Sequence, residues 1–123
     1  MPGDIIASEN FDENRDLGTI ANLIVNDVRT SFKSMKFSIK TIKKYRAIVL
    51  TIKQNEYNGI TFYYGNTLEK TDEGEKIVNE IIKLSLQYNK IDLYLRQQFF
   101  YFVVDVKGFH YKSDEEYIKE YGD

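Results

Sequence analysis

Apolar residues recur at Leu17, Ile20, Ala21, Ile24, Val28 and Phe32 in steps of three and four, the spacing that lines one face of an α-helix. The pattern predicts a helix from Leu17 through Phe32. Asp16 is placed to accept a hydrogen bond from an unpaired backbone N–H at its start, and Arg29 and Lys33 suit the negative end of its dipole. The period then changes to two. Lys36-Phe37-Ser38-Ile39-Lys40 alternates polar and apolar residues, as a half-buried strand does. Tyr45 to Lys53 puts Ile48, Leu50 and Ile52 on one face and Ala47, Val49 and Thr51 on the other, predicting a more central strand. Thr41 to Lys44 would close a hairpin between the two. Asn58-Gly59 is a turn signal, and Ile60-Thr61-Phe62-Tyr63-Tyr64 reads as a third strand returning antiparallel to the second.

After a loop over Gly65 to Thr71, Asp72-Glu73-Gly74-Glu75 has the spacing of a capping box. Ile77, Val78, Ile81, Leu84, Leu86 and Tyr88 then form a broad apolar stripe, predicting a second helix that lies across the sheet. Ile91 to Leu95 and Phe99 to Lys107 read as two further strands joined through Arg96-Gln97-Gln98, with Gly108 ending the second. Ser113-Asp114-Glu115-Glu116 repeats the capping-box spacing before a short helix anchored by Tyr117, Ile118 and Tyr121. Residues 1–15 keep no period and read as a flexible N-terminal arm, with a short pairing segment available at Asp4-Ile5-Ile6-Ala7. The expected fold class is α+β in the order α-β-β-β-α-β-β-α, a single domain over residues 16–123 with its helices packed on one face of a mainly antiparallel sheet. The order strand, helix, strand also permits a parallel right-handed crossover around the second helix, and the pattern leaves both topologies open.

Composition narrows the chemistry. With 123 residues, 42% of them hydrophobic, 29% charged and one proline, the chain has the make-up of a folded domain. It contains no cysteine, which excludes a disulfide scaffold, thiolate metal ligands and a Cys nucleophile, and fits a reducing compartment. The longest apolar stretch, Phe99 to Val104, is far shorter than the roughly 20 residues of a membrane helix, and Met1 to Ile6 lacks the basic and apolar regions of a leader. The cytoplasm of a bacterial host is the expected location.

The net charge of -2 conceals a segregation along the chain. Residues 1–27 carry six acids against Arg15, residues 28–55 carry eight bases and no acid, and residues 113–123 carry five acids against Lys119. Within the basic block, Arg29 and Lys33 end the first helix, Lys36 and Lys40 share a strand face, and Lys43, Lys44 and Arg46 cluster at the following turn. With Tyr45, Tyr57 and Tyr63 nearby, such a ribbon could hold phosphates by charge and bases by stacking. It could equally be a solvated face whose lysines discourage sheet-to-sheet aggregation, or a protein-binding surface rich in tyrosine. No phosphate loop, zinc helix, EF-hand or nucleophile elbow occurs in the chain. His110 reads as a loop side chain, and Asp92 and Asp105 as solvent-facing residues of the final hairpin. No cofactor, metal or enzymatic activity is expected.

Ala21-Asn22-Leu23-Ile24 through Val28-Arg29-Thr30-Ser31-Phe32, followed by Met35-Lys36-Phe37-Ser38-Ile39-Lys40 and the strand to Lys53, resembles the large polyvalent-protein-associated domains of phages and conjugative elements. There a helix with a basic end runs into a Lys-Phe-Ser-Val-Arg type strand, matched here by Lys36 to Lys40. The resemblance spans residues 21–53 and implies a mobile-element accessory protein, one that counters host restriction or CRISPR defence; it brings no catalytic residues with it. The reading of the sequence is therefore a non-enzymatic protein-binding accessory protein of a phage or mobile element. The alternative is a nucleic-acid-binding accessory domain that uses the basic ribbon on DNA or RNA.

Overall fold

The computed structural model describes residues 5–122; Asp4 of the expected pairing segment and Asp123 of the acidic terminus lie outside them. In chain order the elements are β1 (Ile5–Ala7), α1 (Leu17–Ser31), β2 (Phe37–Ile42), a 3-10 turn (Lys43–Tyr45), β3 (Ala47–Ile52), β4 (Glu56–Tyr57) and β5 (Ile60–Thr61). There follow α2 (Asp72–Leu86), β6 (Lys90–Asp92), β7 (Gln97–Gln98), β8 (Tyr101–Val106), β9 (Phe109–Ser113) and α3 (Asp114–Tyr121). The α+β class with helices packed against strands is observed. The single sheet is not: the strands form a four-stranded sheet β2-β3-β8-β9, a three-stranded sheet β1-β6-β7 and the hairpin β4-β5.

The main sheet follows from two apolar rows in register. Ile48, Leu50 and Ile52 of β3 lie beside Phe102, Val104 and Val106 of β8 in parallel pairing, and all six are fully buried. The crossover joining them carries α2, whose Ile77, Val78, Ile81 and Ile82 cover that face together with Ile20, Ile24 and Val28 of α1. The expected antiparallel meander is thereby corrected. Ile60-Thr61 pairs only with Glu56-Tyr57 around the Asn58-Gly59 turn. Phe62 then leaves the strand path for the core, and the Asn55 side chain holds the Tyr63 backbone at both its N–H and its carbonyl.

The last expected hairpin is also corrected. Lys90–Asp92 pairs with Gln97–Gln98 and with β1, whereas β8 turns back through Lys107 and Gly108, both at positive φ, to pair with β9. Gly108 thus closes a hairpin. The left-handed backbone that two-residue turns require is supplied there, so the chain reverses without ending the sheet.

Residues 5–15, expected as a loose arm, are tied to the body. β1 pairs with β6, the Ser8 hydroxyl donates to the Leu86 carbonyl at 2.7 Å, and the Phe11 ring meets Phe99 edge-on at 5.0 Å. At the helix starts, Asp16 accepts from the Thr19 N–H at 2.7 Å, and Ser113 and Glu116 form the expected capping box. The cap of α2 is one residue earlier than expected, because Thr71, not Asp72, accepts from the Gly74 N–H. Gly74 permits a close approach of α2: a Cβ there would lie 2.8 Å from the Phe62 Cα.

Candidate functional site

The basic ribbon does not condense into one patch. It is strung along β2 and its two ends. Arg29, at the end of α1, lies over the Phe37 ring at 5.9 Å, and Lys33 and Lys36 follow at the entrance to β2. Lys43, Lys44 and Arg46 lie at the exit, a strand length of roughly 20 Å away. The Thr19 N–H and hydroxyl hold the Asp16 carboxyl, at the opposite end of α1 from Arg29, below its ordinary range, and the charge of Lys43 acts in the same direction. Lys40 stands between the two groups, exposed on the sheet face away from the helices.

Two of the three aromatic partners expected beside the ribbon are withdrawn from solvent. Tyr57 is buried and donates to the Lys33 carbonyl at 2.7 Å; Tyr63 is buried and donates to the His110 carbonyl at 3.1 Å. Only Tyr45 offers its ring to solvent, with the Lys44 ammonium 5.5 Å from its centre. Arg46 is committed internally, its Nε donating to the Phe99 carbonyl at 2.8 Å and its guanidinium stacked on the Phe99 ring at 4.6 Å. Replacing Lys40, Lys43 and Lys44 with glutamine is expected to cost less than about 1 kcal/mol of stability. Adding Arg46→Gln should cost about 0.5–1 kcal/mol more through the lost stacking, measured as the shift in the urea midpoint.

Asp92 and Asp105, expected as solvent-facing residues of one hairpin, lie in different sheets and are both partly buried. The Asp92 carboxylate accepts from the Leu95 N–H at 3.0 Å and shapes the turn after β6. Asp105 pairs across the ladder with His110, which lies in β9 and not in a loop. The His110 Nε2 is 2.6 Å from Glu116 Oε1. Burial works against the Glu116 carboxylate, but its hydrogen bonds with His110 and Ser113 outweigh it and hold the group below the ordinary range. Both side chains are about half exposed. Among the described residues no group of three or more His, Asp or Glu side chains is arranged to hold a metal ion.

A surface that the sequence pattern did not mark stands at the turn between β6 and β7. Leu93, Tyr94 and Leu95 expose 37%, 72% and 56% of their surfaces in succession. Beside them a cleft of about 800 Å³ opens between this hairpin and α3, lined by Ile91, Leu93 and Arg96 on one wall and Glu115, Ile118 and Lys119 on the other. Ile91 to Leu95 reads as one strand because Ile91, Leu93, Tyr94 and Leu95 are apolar or aromatic. The signal for a projecting tip was available in Asp92, whose side chain can bond a backbone N–H further along and end a strand.

No protein-family model matches the chain, and comparison with curated proteins and with solved structures returned no match. Among the described residues no helix is long and apolar enough to cross a membrane.

Proposed function

We propose that the protein is a non-enzymatic protein-binding accessory protein, and that the tip Leu93-Tyr94-Leu95 with the cleft behind it is its principal contact. The observation that carries this reading is the run of three exposed apolar side chains on a projecting turn. Scattered exposed hydrophobics are ordinary, but a contiguous aliphatic and aromatic tip beside a concave wall has the form of an interface anchor. Tyr94 supplies a rigid ring with a hydroxyl that keeps a hydrogen bond when desolvated, and Arg96 and Glu115 offer a polar rim. The protein's place in a phage or other mobile element, acting against a host defence system, belongs to the same proposal and rests on the likeness of residues 21–53. The burial of Tyr57 and Tyr63 counts against the nucleic-acid alternative, since it withdraws two of the rings that base stacking would use.

Capture from a bacterial host lysate, followed by titration of the captured protein with the wild-type chain and with Leu93→Ser, Tyr94→Ala, Leu95→Ser, tests the assignment. The triple variant is expected to melt as the wild type does, because the side chains are exposed, and to bind at least about 30-fold more weakly, as loss of an interface anchor entails. Equal affinity of the two chains would refute the assignment.

A further inference from the structure

β2 is an end strand of the four-stranded sheet, and its register fixes which backbone groups it turns outward. Lys53 donates its N–H to the Lys36 carbonyl at 2.7 Å. The antiparallel alternation therefore points the backbone groups of Ser38, Lys40 and Ile42 inward to their partners Thr51, Val49 and Ala47, and those of Phe37, Ile39 and Thr41 away from β3. Three N–H donors and three carbonyl acceptors thus stand along the outer edge, in the spacing a further strand would need. No other described strand pairs with this edge.

The segment that carries that edge is charged with one sign, although Asp16 feels the charge of Lys43 and Asp105 that of Lys40 from neighbouring elements. Residues 28–55 hold eight bases and no acid; Lys36 and Lys40 flank the edge on the open face of the sheet, with Arg29 and Lys33 at one end and Lys43 and Lys44 at the other. On the helix-covered face the edge presents Phe37 and Ile39, both half-buried against the core. We propose that the outer edge of β2 receives an acidic extended segment of a protein partner as an added strand, its alternate residues apolar toward Phe37 and Ile39 and carboxylate toward Lys36 and Lys40. This interface is independent of the hairpin tip.

Charge selects the occupant. A second copy laid edge to edge against β2 would bring the Lys36 and Lys40 of one chain beside those of the other, opposed directly or diagonally according to register and with no carboxylate on the strand to offset them, which is destabilising. A nucleic-acid strand would satisfy the lysines but leave the outward backbone groups of Phe37, Ile39 and Thr41 without partners. An acidic strand satisfies both at once: main-chain bonds give it hold, and the lysines fix its composition.

The full chain, titrated with a fluorescently labelled peptide of alternating glutamate and valine, provides the test, with a lysine and valine peptide and an oligothymidylate run in parallel. The acidic peptide is expected to bind, to bind more weakly as salt is raised, and to slow amide exchange at Phe37, Ile39 and Thr41 by at least about tenfold. Thr41→Pro, which removes an outward N–H while sparing the bonds to β3, is expected to abolish binding, as is Lys36→Glu with Lys40→Glu. Exchange in the wild-type chain decides the question even where a variant fails to fold. Unchanged exchange at those three amides, full binding by a folded Thr41→Pro, or preference for the lysine peptide or the oligonucleotide would each overturn the proposal.

Discussion

Replacing Ile24 with alanine is expected to destabilise the protein by about 2–5 kcal/mol, a large share of the roughly 5–15 kcal/mol that holds a domain of this kind together. Ile24 is fully buried on α1, within the cluster that includes Ile20, Val28, Leu50 and Ile81. Truncation removes three heavy atoms from water-excluded contact and leaves a void within that cluster. Alanine's better helix propensity returns only a few tenths of a kcal/mol, so the cavity decides the sign. Urea unfolding should show a lower midpoint with an unchanged slope, since the surface exposed on unfolding is nearly the same. A loss under about 1 kcal/mol would mean that α1 is not seated on the sheet.

The same cluster shows what the sequence made legible. The three-and-four spacing from Leu17 to Phe32 and the stripe from Ile77 to Tyr88 identify both long helices, because a helix meets its core through local periodicity; the stripe left out Ile82, which is fully buried, and included Leu84 and Leu86, which are only partly so. The alternation of Ile48, Leu50 and Ile52 likewise identifies a buried strand face. Alternation says which side of a strand is buried and nothing about its neighbour, which is why β5 was expected beside β3 where β8 lies. Pairing is decided by residues far apart in the chain, here by the match of Phe102, Val104 and Val106 to the β3 row. At the candidate surfaces, charge was legible and exposure was not. The lysines in and around β2 were legible from their spacing, but Tyr57 and Tyr63 looked like surface residues until their hydroxyls proved to have carbonyl partners inside. The tip Leu93-Tyr94-Leu95 was hidden for the opposite reason, since apolar residues in a strand-like run look buried. Nothing in the pattern marked Asp114 as different from its acidic neighbours at the start of α3, yet its surface is almost wholly covered.

That aspartate gives the second large effect. Asp114 accepts a hydrogen bond from the Phe102 N–H at 3.0 Å, and the Gln98 amide donates to the same carboxylate at 2.6 Å in the orientation that satisfies both groups; its other oxygen is buried with no partner. Burial pushes its pKa up from 3.8 to about 7, and the Phe102 bond only partly opposes this. Because the folded state holds the proton more tightly than the unfolded chain, the folded state binds more protons between those two values. Stability from this group is therefore fully present below the unfolded value near 4, falls as pH rises, and levels off above the folded value near 7. Three pH units correspond to about 4 kcal/mol as an upper bound. Glu116 and Asp16, held below their ordinary ranges, contribute with the opposite sign and lose stability as pH falls, while Asp105, raised by burial, has the same sign as Asp114, so the total curve mixes several groups. The difference between the wild type and Asp114→Asn isolates the aspartate. The neutral amide keeps an oxygen to accept from Phe102 and does not titrate. It is expected to be less stable than or equal to the wild type at pH 4 and more stable by at least about 1 kcal/mol at pH 8, with the crossing between them. Urea midpoints across that range supply the measurement. A difference that does not change with pH would show that the Asp114 carboxylate is as well solvated, or as well bonded, folded as unfolded, and that burial at the junction of β7, β8 and α3 does not raise its pKa.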